Sequence, residues 1–286
     1  MDAAAAHTRE ILDRELKASK DASSLTLASS SSAIFNPEDL GLDASFTLTD
    51  FRLWLQAAAE QAARAETNVT GGQTVMNPWP IVGGVAMSVR SESEIIRPVN
   101  AQVGDVLILT KPLGTQVAVN LFQWRKKPER WQRVAHLVTA EDAEAAFAMA
   151  SESMSRLNLN AARLMHKYGA HSATDVTGFG ILAHARNQAK SQDRDVDFEI
   201  HTLPVIANMV KVNDAIGNSF KLLDGFAAET SGGLLLCLPA QHADAFIQEL
   251  RELDGKPAWV VGRVVDGSKD ARIVSNPAII EVALQD

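Results

Sequence analysis

The apolar positions change their period along the chain. In TLTDFRLWLQAAAEQAARAE, residues 47–66, Phe51, Leu55, Ala58 and Ala62 recur at helical spacing, which predicts a helix ending near Glu66. Thr49 or Asp50 can cap its first amides. Short apolar runs without that spacing predict strands: VLILT at 106–110, GGLLLCL at 232–238, AWVVGRVVD at 258–266 and ARIVS at 271–275. SATDV at 172–176 and VDFEI at 196–200 are expected to join them. Helical spacing returns in TQVAVNLFQW, in two helices over 139–168, in GILAHARNQAK, in LPVIANMVKVNDA and in PAQHADAFIQELREL. Gly169 suits a helix C-terminus, and Pro239 a first helical turn. TNVTGGQT predicts a short strand and a glycine turn, PWPIVGGVAMSVR a strand, and EIIRPVNAQVGDVLILT two strands around a Val103-Gly104-Asp105 turn. Strands and helices alternate from 98 onward, so the fold class is α/β or α+β.

Composition narrows the setting. With 35 acidic against 27 basic residues the net charge is −8, which argues against a nucleic-acid surface. No apolar stretch approaches the roughly 18–20 residues of a membrane span. One cysteine, Cys237, makes no intrachain disulfide and sits in a buried-looking strand, which suits a reducing compartment. MDAAAAHTRE lacks the order of a signal peptide, so the cytoplasm is expected. Residues 1–46 are Ser- and Ala-rich and predict a mobile tail or surface insertion.

The chemistry sits at strand-to-helix corners. Gly71 and Gly72, followed by Gln73 and Thr74, can offer backbone amides and a hydroxyl to a phosphate, or can be a tight turn. Neither GxxxxGK[ST] nor GxGxxG occurs. Asp175 ends a predicted strand, where ligand crevices form in open α/β sheets. Thr177 can cap the helix that follows. A carboxylate beside an anion-seeking helix end suits Mg²⁺ with phosphate; an Asx-turn is the plainer alternative. Lys111 in TKPLGTQ either pairs with phosphate or stays solvated. Glu229, Thr230 and Ser231 precede Gly232-Gly233 as a polar turn. His184 is expected to be a structural histidine, and the tryptophans, among them Trp54, Trp79 and Trp259, core or interface aromatics.

Taken together, VTGGQTVMNPW, DVLILTKPLGTQVAV, ATDVTGFGILAHA and ETSGGLL, in that order, resemble selenophosphate synthetase (selenide, water dikinase) in its eukaryotic form over about residues 47–286. The resemblance implies an aminoimidazole ribonucleotide synthetase-like fold: residues 47–97 as the end of an N-terminal ATP-binding and dimerisation domain, 98–286 as the C-terminal α/β domain. It implies a homodimer acting on selenide and ATP with Mg²⁺, releasing AMP and orthophosphate, the product serving selenocysteine synthesis. It makes Asp175 a metal ligand and has Gly71 to Thr74 reach ATP across the dimer. Thiamine monophosphate kinase and a hydrogenase maturation factor share the fold, but their corners differ from TDVTGFG. The family's glycine-rich segment, with its catalytic cysteine or selenocysteine, its lysine and its first metal aspartates, has no counterpart before the helix at 49–66. The catalytic nucleophile and lysine therefore have no candidate here, and this chain alone is expected to be incomplete for catalysis. A non-catalytic subunit that dimerises with a complete homologue, or a small-molecule kinase of the same fold, are the alternatives.

Overall fold

The structure, a computed structural model, describes residues 48–73 and 83–283, without the side chains of 48–54. The expected tail at 1–46, Thr74, Trp79 and the side chains of Phe51 and Trp54 lie outside the described residues. The chain divides into two units, Met1–Ser88 and Val89–Asp286.

The first unit contributes helix α1 (Leu48–Arg64). Thr49 and Asp50 therefore fall inside its first turn. Its end is a two-bond closure: the Thr67 amide donates to the Ala62 carbonyl and the Glu66 amide to the Ala63 carbonyl, with Glu66 left-handed at φ 58°. The predicted apolar stripe is not buried along its length, since Leu55 and Ala58 stay exposed. Residues 67–73 form no strand and are exposed, and 83–90 are likewise exposed and without regular structure.

The second unit is a six-stranded mixed sheet between helices. Its strands are β1 (Asp105–Leu109), β2 (Ser172–Asp175), β3 (Val196–Ile206), β4 (Leu234–Pro239), β5 (Trp259–Asp266) and β6 (Ala271–Val282), in the order β2-β4-β1-β5-β3-β6. All neighbours run antiparallel except β3 and β6. The helices are α2 (Thr115–Trp124), α3 (Pro128–Trp131), α4 (Ala140–Ser155), α5 (Leu159–Lys167), α6 (Gly180–Lys190), α7 (Met209–Ala215) and α8 (Ala243–Asp254). Alternation along the strands feeds two cores. Leu107, Leu109, Leu235 and Cys237 face α2, α4, α6 and α7, whereas Ile108, Leu236 and Leu238 face α5 and α8. That two-sided burial explains why β1 and β4 are unbroken apolar runs.

Three expectations change. Before the Val103-Gly104-Asp105 turn there is a single 3₁₀ turn at Glu92–Glu94 and no strand. LPVI continues β3 instead of opening a helix, because Thr202–Ile206 pair with Ala278–Val282 of β6. Pro204 still serves that strand through its carbonyl, which accepts the Leu113 amide at 2.8 Å. Pro239 closes β4, and α8 begins only at Ala243.

Candidate functional site

Antiparallel pairing of β4 with both β1 and β2 brings the ends of β1 and β2 and the start of β4 to one end of the sheet. TKPLG, TDVTGFG and ETSGG, far apart in sequence, thereby meet. The turn before β4 is threaded too tightly for side chains. A Cβ on Gly232 would lie 2.0 Å from the Val176 carbonyl oxygen, and one on Gly233 2.6 Å from the Lys111 amide. Gly180, left-handed at φ 77°, meets the backbone of Gly225 and Phe226 in the same way.

Lys111 is neither solvated nor free for a phosphate. It is 2% exposed, and its ammonium donates to the carbonyls of Ser153, Arg156 and Ser231 at 2.9, 2.6 and 2.8 Å. Three donors meet three acceptors. Burial, with Arg156 adding to it, lowers the Lys111 pKa to about 8, so the group remains charged at neutral pH. It ties the end of α4 and the 229–233 turn to the end of β1.

Glu229 is more than a turn residue. Its carboxylate, 4% exposed, accepts from the Gly114 amide at 2.6 Å, the Thr115 amide at 3.0 Å and the Thr115 hydroxyl at 2.5 Å. The carboxyl group thus sits on the positive end of α2 and occupies the place a phosphate would take. Burial pushes its pKa up to about 7 against the pull of those donors.

Asp175 is different. It ends β2 opposite Leu234, and its side chain is 59% exposed. Around it stand Thr177, whose hydroxyl is 3.5 Å from Oδ2, and His184, whose Nδ1 is 4.0 Å from Oδ1. Thr177 does not cap α6, which has no side-chain cap. Its amide instead donates to His184 Nε2 at 3.0 Å. Burial holds the His184 pKa below the usual histidine range, with Asp175 pulling the other way. The Phe179 ring lies 5.5 Å from the imidazole and is itself 67% exposed.

The nearness of His184 to Asp175 was within reach of the sequence. Helical side chains lean back toward the N-terminus, so a histidine one turn into α6 covers the corner before it. Glu229's reach to α2 had no such local signal.

Among the described residues, no group of three or more His, Cys, Asp or Glu could hold a metal ion. Asp175 is a lone carboxylate with a hydroxyl nearby. Such hard oxygen donors fit Mg²⁺, which takes one or two protein carboxylates and completes its shell with water and phosphate oxygens. In the first unit, Gly71, Gly72 and Gln73 are exposed, and a Cβ on either glycine would meet nothing within 4 Å. A groove of about 620 Å³ between α6, β6 and Leu223 lies apart from Asp175. Its Arg186 pairs with Asp270, and its Arg272 with Asp197 and Glu199, so the chemistry of the corner is the better candidate.

The chain is similar to several known proteins. The chain is 52% identical over 238 residues to selenide, water dikinase of Dictyostelium discoideum, a match covering 81% of this chain and 65% of that protein. It is 52% identical over 233 residues to selenide, water dikinase 2 of Homo sapiens, covering 80% and 52% respectively. The chain thus spans between half and two thirds of the length of these relatives. Thiamine-monophosphate kinase from Stenotrophomonas maltophilia K279a superposes with a TM-score of 0.46 at 20% identity, over 64% of this chain and 54% of that one. The family described as AIR synthase related protein, C-terminal domain, matches residues 102–275. The match takes in β1 through the first part of β6 and all three converging corners, and the chain belongs to that family.

Proposed function

We propose that this chain works in a selenide, water dikinase, transferring phosphate from ATP to selenide with release of AMP and orthophosphate. The observation that carries the reading is its identity of 52% to such enzymes over some four fifths of its length. Asp175 would hold Mg²⁺ through its exposed carboxylate. When bound, the ion neutralises charge on the phosphates of ATP. The chain's own contribution is to place that carboxylate at the end of β2, on a backbone locked by Gly232 and Gly180. Gly71, Gly72, Gln73 and Thr74 would face nucleotide phosphate with amides and a hydroxyl, across a homodimer. Net charge of −8 makes neutralisation by a divalent cation the natural route for an anionic substrate here. No helix among the described residues is long and apolar enough to cross a membrane, and the unpaired Cys237 suits the cytoplasm.

Calorimetric titration of Mg–ATP into the chain and into Asp175→Ala tests the reading. Binding by the first and at least tenfold weaker binding by the second are expected. Equal affinities would remove Asp175 from the site.

A further inference from the structure

We infer that His184 is a positioning residue that fixes which face of the Asp175 carboxylate is offered to a divalent cation; this rests on the proposed role of Asp175. The hydrogen bonds set its state. A backbone amide can only donate, so the Thr177 N–H, 3.0 Å from Nε2, requires a lone pair there. The ring proton is therefore on Nδ1, the nitrogen that faces Asp175 Oδ1 at 4.0 Å. The single lone pair of Nε2 is spent on the amide. The Thr177 hydroxyl, 3.3 Å from Nε2, is thus left to donate to Asp175 Oδ2 at 3.5 Å.

Oδ2 then takes the Thr177 hydroxyl at 3.5 Å, and Oδ1 has the Nδ1–H dipole of His184 beside it at 4.0 Å, a contact longer than a hydrogen bond. The rest of the carboxylate is open to solvent, the side chain being 59% exposed. His184 itself is 8% exposed and lies against Phe179, so its ring is held in place. This is the arrangement by which outer groups orient a ligating carboxylate, and loss of such a group costs roughly 10–100-fold in metal affinity. A histidine that only satisfied the Thr177 amide would make no difference to the ion.

Two substitutions separate these roles. In His184→Gln the side-chain oxygen replaces the Nε2 acceptor and removes the donor toward Asp175. In His184→Asn the amide nitrogen stands near Nδ1, so the donor is kept and the acceptor lost. The probe is Mn²⁺ with ATP, bound to the full chain and followed by loss of the free-ion paramagnetic resonance signal. His184→Gln should bind about tenfold more weakly, while His184→Asn should recover most of the affinity at the cost of some thermal stability. Nitrogen chemical shifts of the metal-free chain should show the proton on Nδ1.

An Nε2–H tautomer, or a His184→Gln chain that binds Mn²⁺–ATP like the parent, overturns the inference. Asp175→Asn separates this from failure of the underlying reading. If Asp175→Asn weakens Mn²⁺–ATP binding and His184→Gln does not, only the positioning role falls. If Asp175→Asn has no effect, the metal site itself is misplaced and the inference falls with it.

Discussion

Two corners at the same end of the sheet treat charge in opposite ways. After β1, the ammonium of Lys111 and, across the α2 N-terminus, the carboxylate of Glu229 are buried and fully engaged by hydrogen-bond partners. After β2, Asp175 is open to solvent and its two neighbouring donors stand at 3.5 and 4.0 Å. A buried charge must spend its hydrogen-bonding capacity on the fold, since an unmet partner costs about 1–3 kcal/mol or more. An exposed one keeps capacity for a ligand. The corner that looks most reactive by charge and burial is therefore scaffold, and the plainer acid is the candidate for binding.

That contrast can be broken by substitution, taking stability effects from largest to smallest. Lys111→Met strands the Ser153, Arg156 and Ser231 carbonyls in a buried place; urea unfolding should show a loss of about 3–5 kcal/mol. Gly232→Ala drives a methyl group against the Val176 carbonyl and should cost about 2–3 kcal/mol by the same measurement. Glu229→Gln turns an amide NH₂ toward the α2 donors and should cost about 1–3 kcal/mol at pH 5.

Glu229 also gives a pH signature. Its folded pKa, near 7, lies above the ordinary glutamate value. The group therefore stabilises the fold fully below that ordinary value, and its contribution is lost as pH rises through about 7. Unfolding curves from pH 4.5 to 7.5 should show this fall in the parent and lack it in Glu229→Gln. Asp175→Asn is expected at the bottom of the scale, within about 0.5 kcal/mol of the parent, while binding of Mn²⁺–ATP drops. A large loss of stability in Asp175→Asn would erase the distinction between the two corners.

Much of the second unit was legible from pattern. VLIL and LLLCL are unbroken apolar runs because both faces of β1 and β4 are covered. The α4 start was legible from local chemistry, and Thr139 and Asp142 bond each other's amides there. Gly169, left-handed at φ 67°, follows α5 as expected. The miss at LPVI has a tertiary cause: pairing with β6 overrides a proline that looks like a helix opener. The expected strands around 67–73 and 83–90 failed because apolar residues alone do not supply a pairing partner. Val85, Met87 and Val89 stay 88–98% exposed.

Asp175 at a strand end, the glycines around it and the order of the corners are local properties, and the sequence determined them by itself. Each follows from residue type and short-range spacing. Only the tertiary structure decided what the other polar residues do. Lys111 finds its carbonyls 42, 45 and 120 positions away, and Glu229 finds α2 some 115 positions away. Residue type made Lys111 and Glu229 charged; the antiparallel folding of β4 against β1 and β2 made them structural and left Asp175 open.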